Sequence, residues 1–518
     1  MGTKAGPFGD RMGCLSMRNK LITSCLLAFY ASSAFAQGAT SQPVIDGANS
    51  AWMLVSTALV LLMTPALALF YGGMVQKKNV LNTMLMSFVM MSVVSLIWVL
   101  VGFSLAFGKS SNGWIGGLEY LWGQNISLTT PYGSQTIPAA LFMLFQMKFA
   151  IITPALISGA IAERVRFRAY VTFMIVWSIV IYTPLACWVW NPDGWLLKRG
   201  ALDFAGGTVV HLASGVSALA LCIFLGKRTE TKIAPNNITL TLLGAGLLWF
   251  GWFGFNAGSA LDTSGVAVNA FLTTHLAAAA AMISWMTVEM IRNPKRKASS
   301  IGGASGLVAG LVVITPSAGY VTMGSSIVIG AIAGVVCCLA IELKHKLGYD
   351  DALDVVGVHG VGGLVGGILT GVFATEKVNP AIAEVLRAGR GALMLNQFIA
   401  IGVTLAFAGI GSYVLAILIN KVTRLRSSES AEIKGLDHSY HGEYGYAIPA
   451  VSSAQAVTPV TVSSIMMETV TMEPGTMEPG TLETVAFEAG TFESVEVVDE
   501  DSSDEEWADH EPNAVDMK

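Results

Sequence analysis

Eleven long apolar runs constrain this chain more than any other feature of its sequence. Each run is long enough to cross about 30 Å of hydrocarbon as a helix. Hydrophobic residues make up 53% of the 518 positions and charged residues 13%, too few charges for a soluble globular fold. We therefore predict an all-α polytopic membrane protein. The runs lie near residues 50–75, 80–108, 137–162, 168–190, 205–226, 238–260, 265–291, 300–319, 322–343, 354–375 and 393–420.

Basic residues are concentrated in every second loop between these runs. By the positive-inside rule such loops face the cytoplasm, which predicts an outside N-terminus and an inside C-terminus. Residues Met17–Gln37 have a basic start, a short apolar core and Ala-Phe-Ala, the layout of a cleaved signal peptide, although an uncleaved extra span is the alternative. The basic loops contain Lys77, Lys78, Arg164, Arg166, Arg168, Lys227, Arg228, Lys232, Arg292, Lys295, Arg296, Lys297, Lys344, Lys346, Lys421, Arg424, Arg426 and Lys434.

The composition changes at the C-terminal end. Glutamates recur every five residues from Glu468 to Glu493, a period that fits neither helix nor strand, so we predict a disordered acidic tail. A phosphorylation site within Asp499–Trp507 is the alternative for its last part. The net charge of −5 reflects this tail, and no nucleic-acid partner is expected. The predicted segments are a signal peptide (1–36), a membrane domain (37–426), a cytoplasmic tail segment (427–450) and the acidic tail (451–518).

Two histidines lie inside apolar runs at matching positions. His211 in "VVHLASG" and His359 in "GVHGVGG" each follow a valine and precede a glycine by four residues. Each also follows an acid near the start of its run, Asp203 or Asp354. An odd number of spans permits two inverted halves of five plus one further span. The match favours that arrangement, although chance could produce one so short.

Ionisable residues inside a membrane usually serve a function, but a neutral imidazole hydrogen-bonded to a neighbouring helix is the alternative. If His211 and His359 face each other, they share one hydrogen bond and leave their other nitrogens along a narrow passage. Such a passage suits a small polar solute that can donate and accept, whereas an unpaired ion is costly there. Gly363, Gly367 and Gly371 would allow close helix approach beside His359.

Aromatic residues accompany these runs. Phe149 lies in "LFQMKFAIITP", Trp190 in "CWVWNPDG", and Phe255 and Ser259 in "FGWFGFNAGSA". Aromatic faces attract cations, and a hydroxyl can accept a hydrogen bond from an ammonium-type donor, so these residues could form a cation filter. An interfacial aromatic belt is the alternative.

The six cysteines give no sign of a metal or a cofactor. Cys14 and Cys25 lie in or near the predicted signal peptide, and the other four lie inside apolar runs. Buried small apolar residues are the favoured interpretation over a disulfide or a metal site. We expect no metal, no cofactor and no enzymatic activity, because no nucleophile motif accompanies the histidines.

Four segments, "GAIAERVRF", "DFAGGTVVH", "GWFGFNAGSA" and "DVVGVHGVGGLVGGILTG", resemble motifs of the ammonium transporter family (Amt/Mep/Rh). The resemblance extends from about Ala51 to Tyr446. It implies a multi-pass protein of the cell membrane that assembles as a homotrimer in the lipid bilayer, with one pore per subunit and the inverted repeat. It also implies that the substrate is ammonium or ammonia.

The resemblance assigns roles to individual residues. His211 and His359 resemble the twin pore histidines, and Phe149 and Phe255 resemble the stacked pair that closes the outer entrance. The external ammonium site would consist of Trp190, Ser259 and Phe149, with Asp203 as the buried acid that orders it. Ammonium would lose its proton at the entrance and cross as ammonia, and whether the proton also crosses stays open.

Two further features bear on regulation and on the entrance. "GLDHSYHGEYGY", Gly435 to Tyr446, is similar to the family's cytoplasmic tail segment, with a solvated chain end as the alternative. Family members can be gated by PII-type signal proteins at the cytoplasmic face. Lys148 departs from the family pattern, and we expect it to face away from the pore. An ammonium sensor that signals through its tail is the main functional alternative.

Overall fold

The computed structural model describes residues 1–2, 44–231 and 234–446. The predicted signal peptide and acidic tail lie outside these ranges, so both stay predictions. Within the described ranges the protein is helical. The β-structure found in these ranges consists of two isolated β-bridges, one between Pro131 and Pro138 and one between Val165 and Arg426.

Ten helical segments of the described chain are long and apolar enough to cross a membrane. Their bounds lie close to the predicted runs, which confirms an all-helical, multi-pass protein. With one shorter helix, α8, they are α1 (Gly47–Met74), α2 (Lys77–Phe107), α3 (Ala139–Ile161), α4 (Phe167–Arg199, interrupted at residues 191–194), α5 (Gly207–Leu225), α6 (Ile238–Ala260), α7 (Gly265–Arg292), α8 (Ser300–Ile314), α9 (Met323–Leu347), α10 (Val356–Phe373) and α11 (Arg390–Val422).

Helix α8 is shorter than the run from which it was predicted. Its 15 residues end at Ile314, and turns follow as far as Tyr320. At 1.5 Å per residue the helix is about 22 Å long, which is less than the thickness of a hydrocarbon core. All of its residues from Gly302 to Ile314 are buried in the protein. Length and hydropathy therefore identify ten spans, and α8 is a shorter apolar helix whose side chains are buried in the protein.

Four of the spans contain a π-turn, in which the helix accommodates one extra residue. Two lie inside α2 and α4, at Trp98–Gly102 and Ser178–Tyr182. The other two open α5 and α10, at Gly207–Leu212 and Val356–Val361, and these contain the two histidines. Because π-turns are rare and recur at functional sites, their position at the start of both histidine helices is informative.

Helix packing brings the histidine helices to the centre of the bundle. Helix α1 packs along α6, α7 packs against α8 and α9, and α5 packs against α11. The π-turns of α5 and α10 contact each other, and α3 packs against α5. The helices that carry candidate site residues therefore converge on one interior region.

The segment after α11 is packed against the bundle. It forms α12 (Glu429–Lys434) and α13 (Leu436–His441). The Leu436 backbone N–H donates to Asn79 Oδ1 (2.8 Å), and the Asp437 carboxylate accepts from the backbone N–H groups of Leu81 (3.0 Å) and Asn82 (2.8 Å). Leu436 and Asp437 are buried. This part of the tail is therefore not a solvated chain end.

A buried cluster of four charges joins three loops at the same end of the bundle. Arg228 donates to Glu163 (2.7 Å) and to Asp350 (2.9 Å), and Arg164 lies 3.4 Å from the same aspartate. Burial opposes ionisation of Asp350, but hydrogen bonds from Arg228 and the charge of Arg164 hold its pKa below the ordinary value. The two positive and two negative charges balance within the cluster.

Candidate substrate pathway

The two intramembrane histidines face each other. His211 Nδ1 and His359 Nδ1 are 3.2 Å apart, and the ring centroids are separated by 5.3 Å at an interplanar angle of 24°. Both side chains are buried. One nitrogen of the pair has to donate while the other accepts, so the two rings share a single hydrogen bond. His211 Nε2 has no hydrogen-bond partner within the described residues, which leaves it available to a small solute.

Glycines bring the histidine helices together in a reciprocal manner. A Cβ atom on Gly215, four residues after His211, would lie 2.2 Å from Gly360 Cα. A Cβ atom on Gly363, four residues after His359, would lie 2.6 Å from Leu212 N. Each glycine thus contacts the residue that follows the opposite histidine. This reciprocity supports the pairing of α5 and α10 that the sequence suggested.

We expect Gly215→Ala to destabilise the protein, because its Cβ atom would overlap the backbone of Gly360. Overpacking typically costs about 1–3 kcal/mol, and a backbone neighbour cannot rotate out of the way. SDS titration in mixed micelles measures the loss. The control is Gly402→Ala in α11, where an added Cβ meets nothing within 4 Å. Equal stability of the two variants would contradict the close crossing.

Asp203 organises the start of α5. Its Oδ1 accepts from the backbone N–H groups of Gly206 (2.8 Å) and Gly207 (2.7 Å), and its Oδ2 accepts from Thr208 N (2.7 Å) and the Thr208 hydroxyl. Burial raises the pKa of Asp203, and these hydrogen bonds act in the opposite direction. A carboxylate so fully engaged holds the backbone at the start of α5 in place.

The acid that matches Asp203 is Asp351, and the sequence-based pairing with Asp354 was wrong. Asp351 accepts from Val355 N (3.1 Å) and Val356 N (2.7 Å) and so caps α10. Burial and the neighbouring Asp354 carboxylate raise the pKa of Asp351 above its ordinary value. Asp354 instead pairs with Lys344. The sequence spacing could have identified Asp351, because each of the two capping acids lies eight residues before the histidine of its helix.

Two phenylalanines lie between the histidines and the entrance. The ring centroids of Phe149 and Phe255 are 4.3 Å apart, and both side chains are buried. Phe255 lies 6.0 Å from the ring of His211, and Phe149 lies 5.8 Å from the ring of Trp190. A continuous series of neighbouring rings therefore runs from Trp190 through the phenylalanine pair to the histidines.

A cavity lies on each side of the phenylalanine pair. The first, here called the entrance cavity, has a volume of about 130 Å³. The second, the histidine cavity, has a volume of about 10 Å³, close to the minimum that holds one water molecule. The entrance cavity is lined by Tyr132, Gln135, Phe142, Gln146, Phe149, Trp190, Pro192, Phe204, Ser259 and Leu261. The histidine cavity is lined by Met63, Leu67, Phe70, Ile152, Leu156, His211, Leu248, Trp252, Phe255, Val308 and His359.

Ser259 and Trp190 are oriented by their own hydrogen bonds. Ser259 Oγ donates to Phe255 O (2.8 Å), which leaves its lone pairs free to accept. Trp190 Nε1 donates to Asp203 O (3.0 Å), so the indole is fixed by the loop that Asp203 organises. Lys148 is not among the lining residues of either cavity, and its orientation away from the pore stays a prediction.

Trp252 and Gln146 belong to the aromatic stretches "FGWFGFNAGSA" and "LFQMKFAIITP" but were assigned no individual role from the sequence. Trp252 stacks on His211, with centroids 5.4 Å apart, and donates from Nε1 to Thr315 Oγ1 (2.9 Å). Gln146 lines the entrance cavity one turn before Phe149. A helical spacing of three residues to Phe149 was a usable signal for Gln146. Within the described ranges, no three His, Cys, Asp or Glu residues are grouped as a metal would require.

These features define a polytopic membrane protein with a histidine-lined internal cavity behind an aromatic entrance. The family model described as "Ammonium Transporter Family" matches residues 51–446, which is most of the chain. The chain belongs to the ammonium transporter family, a family of transporters and not of enzymes.

Individual relatives agree with this assignment. The chain is 50% identical over 400 residues to a protein named "Ammonium transporter" from Bacillus subtilis (strain 168), covering 77% of this chain and 98% of the relative. The crystal structure of Saccharomyces cerevisiae Mep2 is similar, with a TM-score of 0.68, 36% identity and coverage of 75% of this chain and 88% of that one. A structure titled "Sensor Amt Protein" has a TM-score of 0.71 and 30% identity, covering 76% and 98%.

Proposed function

We propose that this protein takes up ammonium, removes a proton from it at the phenylalanine pair, and conducts ammonia through the histidine cavity into the cytoplasm. The continuous series of entrance cavity, closely packed phenylalanines and facing histidines carries this proposal. Transfer of the released proton along the histidines would make transport electrogenic, and its return to water on the outer side would make transport electroneutral.

The entrance cavity suits recruitment of the cation. The faces of Trp190 and Phe149 attract positive charge, and Ser259 Oγ can accept a hydrogen bond from ammonium. Gln146 offers a further amide oxygen in the same cavity. Asp203 contributes indirectly, since it fixes the loop that holds the Trp190 indole.

The histidine cavity suits ammonia but not a bare cation. Besides the two imidazoles and the Trp252 indole, its lining is apolar, and an unpaired charge there carries a large desolvation cost. Ammonia can donate to and accept from imidazole nitrogens as it passes. Potassium has no proton to lose, so selectivity follows from deprotonation at the phenylalanine pair.

The proposal includes a topology and an assembly. It has an outside N-terminus after a cleaved signal peptide, α8 as an eleventh span, two inverted halves of five spans, and a cytoplasmic C-terminus. The alternation of basic loops and the reciprocal glycine contacts support this arrangement. The proposed assembly is a homotrimer in the cell membrane. A PII-type protein is proposed to dock at its cytoplasmic face.

Growth tests the proposal directly. A microbial strain without its own ammonium transporters, expressing this protein, should grow on low ammonium as the sole nitrogen source. Failure to grow, with the protein present in the membrane, would contradict uptake.

A sensor is the second candidate, favoured by the similar structure titled "Sensor Amt Protein" and by the packed tail segment. Ammonium binding without supported growth would favour it.

A further inference from the structure

A second cavity, here called the side cavity, lies next to the entrance cavity. It has a volume of about 350 Å³ and shares three lining residues with the entrance cavity, namely Trp190, Phe204 and Ser259. Phe204 packs edge-on against Tyr320, another lining residue, with ring centroids 5.2 Å apart. The two cavities are therefore neighbours, and their shared wall includes two of the residues proposed to hold ammonium.

Two carboxylates, Asp203 and Asp262, line the side cavity, and they differ in how fully the protein occupies their oxygens with hydrogen bonds. The oxygens of Asp203 are occupied by hydrogen bonds to the start of α5. Asp262 is partly exposed, and its Oδ1 accepts from the Ser264 backbone N–H at 3.0 Å. Asp262 forms no ion pair with any residue of 44–231 or 234–446. It therefore contributes a negative charge that the surrounding protein leaves uncompensated.

Asp262 lies just beyond the turn that contains Ser259. The 3₁₀ turn Gly258–Ala260 ends at Leu261, whose φ of 63° is left-handed, and α7 begins after Ser264. Ser264 Oγ accepts from Val266 N and caps that helix. The carboxylate is thus three residues from the hydroxyl of the proposed ammonium site, on a backbone fixed at both ends.

We propose that the side cavity binds a small monovalent cation at Asp262 and supplies ammonium to the neighbouring site at Ser259 and Trp190. This inference rests on the proposed function. One available carboxylate matches one positive charge, and the rings of Trp190, Phe204 and Tyr320 add cation–π attraction. A carboxylate in a cleft also raises the local concentration of cations.

The residues that line the side cavity also indicate which cations it can bind. Ammonium and potassium have the same charge, and nothing in a carboxylate with aromatic neighbours requires a proton to be lost. The side cavity should therefore hold either cation, with selectivity arising only at the phenylalanine pair. Potassium should compete for the side cavity without being transported.

Crystals of the full chain soaked with thallium(I), a monovalent cation visible by anomalous scattering, test the site without any transport. We expect a thallium peak in the side cavity beside Asp262 and its loss in Asp262→Asn. A wild-type side cavity without thallium would overturn the inference, as would an equal peak in the variant. The thallium peak reports cation binding alone, so this test is valid even if the protein is a sensor that does not transport.

Kinetics give the second test. At low ionic strength, Asp262→Asn should raise the half-saturating ammonium concentration about tenfold, the low end of electrostatic focusing effects, with the maximal rate unchanged. Added potassium should reduce this difference. The matched control is Asp193→Asn, an acid on the same side of the bundle that pairs with Lys198 and lines neither cavity. An equal shift in both variants, or none, would overturn the role of Asp262. A silent wild type would instead contradict the proposed function.

Discussion

Replacing both His211 and His359 with leucine should lower ammonium-driven flux about 100-fold. Leucine fills a similar volume, so the packing of α5 against α10 should survive. The histidine cavity would then have no imidazole to hydrogen-bond ammonia, and burying an unpaired polar group costs about 2–7 kcal/mol. About 2.8 kcal/mol already corresponds to a factor of 100. The measurement is the initial rate in proteoliposomes loaded with equal amounts of protein.

His275→Leu is the matched control for this loss. His275 lies in the span α7, is exposed on the outside of the bundle, and lines neither the entrance cavity nor the histidine cavity. It stacks on Trp249, with ring centroids 5.0 Å apart, away from the proposed route. Its replacement should leave the rate near that of the wild type. An active double leucine variant would show that flux does not pass between His211 and His359.

Replacing Arg228 with methionine should destabilise the protein by about 3–5 kcal/mol, the cost of leaving a buried charge without its partner. Arg228 donates to Glu163 and to Asp350, and it is 8% exposed. Removal of its charge leaves two buried carboxylates with Arg164 as the cation of the cluster. SDS titration in mixed micelles measures the loss.

The expected pH dependence of the Arg228→Met variant gives a further check. Unpaired buried carboxylates have raised pKa values, so they should take up protons as the pH falls. The deficit in stability should therefore shrink on acidification. Lys198→Met is the control, because Lys198 and Asp193 form an exposed pair at 3.1 Å that should contribute about 0–1 kcal/mol. Equal losses in both variants would contradict the buried-charge explanation.

The spans could be predicted from the sequence because membrane burial leaves a direct record in hydropathy. Helices α6 and α7 match their predicted bounds to within one residue. At α8 the prediction was too long, because the apolar run continues to residue 319 but the helix ends at Ile314. Hydropathy reports burial, and the turn that follows α8 is buried too, so composition could not place the helix end.

The facing histidines could also be predicted, since a titratable residue is rare in an apolar span. The π-turns that carry them could not, because no residue type marks the extra backbone residue. The choice of Asp354 over Asp351 has a different cause: both acids precede α10, and the equal eight-residue spacing from acid to histidine, which points to Asp351, was not used. The cluster of Glu163, Arg228 and Asp350 joins loops far apart in the chain, which no local pattern reveals.

The most direct measurement of the central claim is the response of proteoliposomes containing the purified full chain to ammonium, with potassium at the same concentration as the control cation. Membrane current and internal pH are followed together. The account predicts a response to ammonium and none to potassium, because only ammonium can lose a proton at the phenylalanine pair. A current, or an internal alkalinisation without current, would each show passage of the substrate. Equal responses to both cations, or none to ammonium, would contradict selective transport through the histidine cavity.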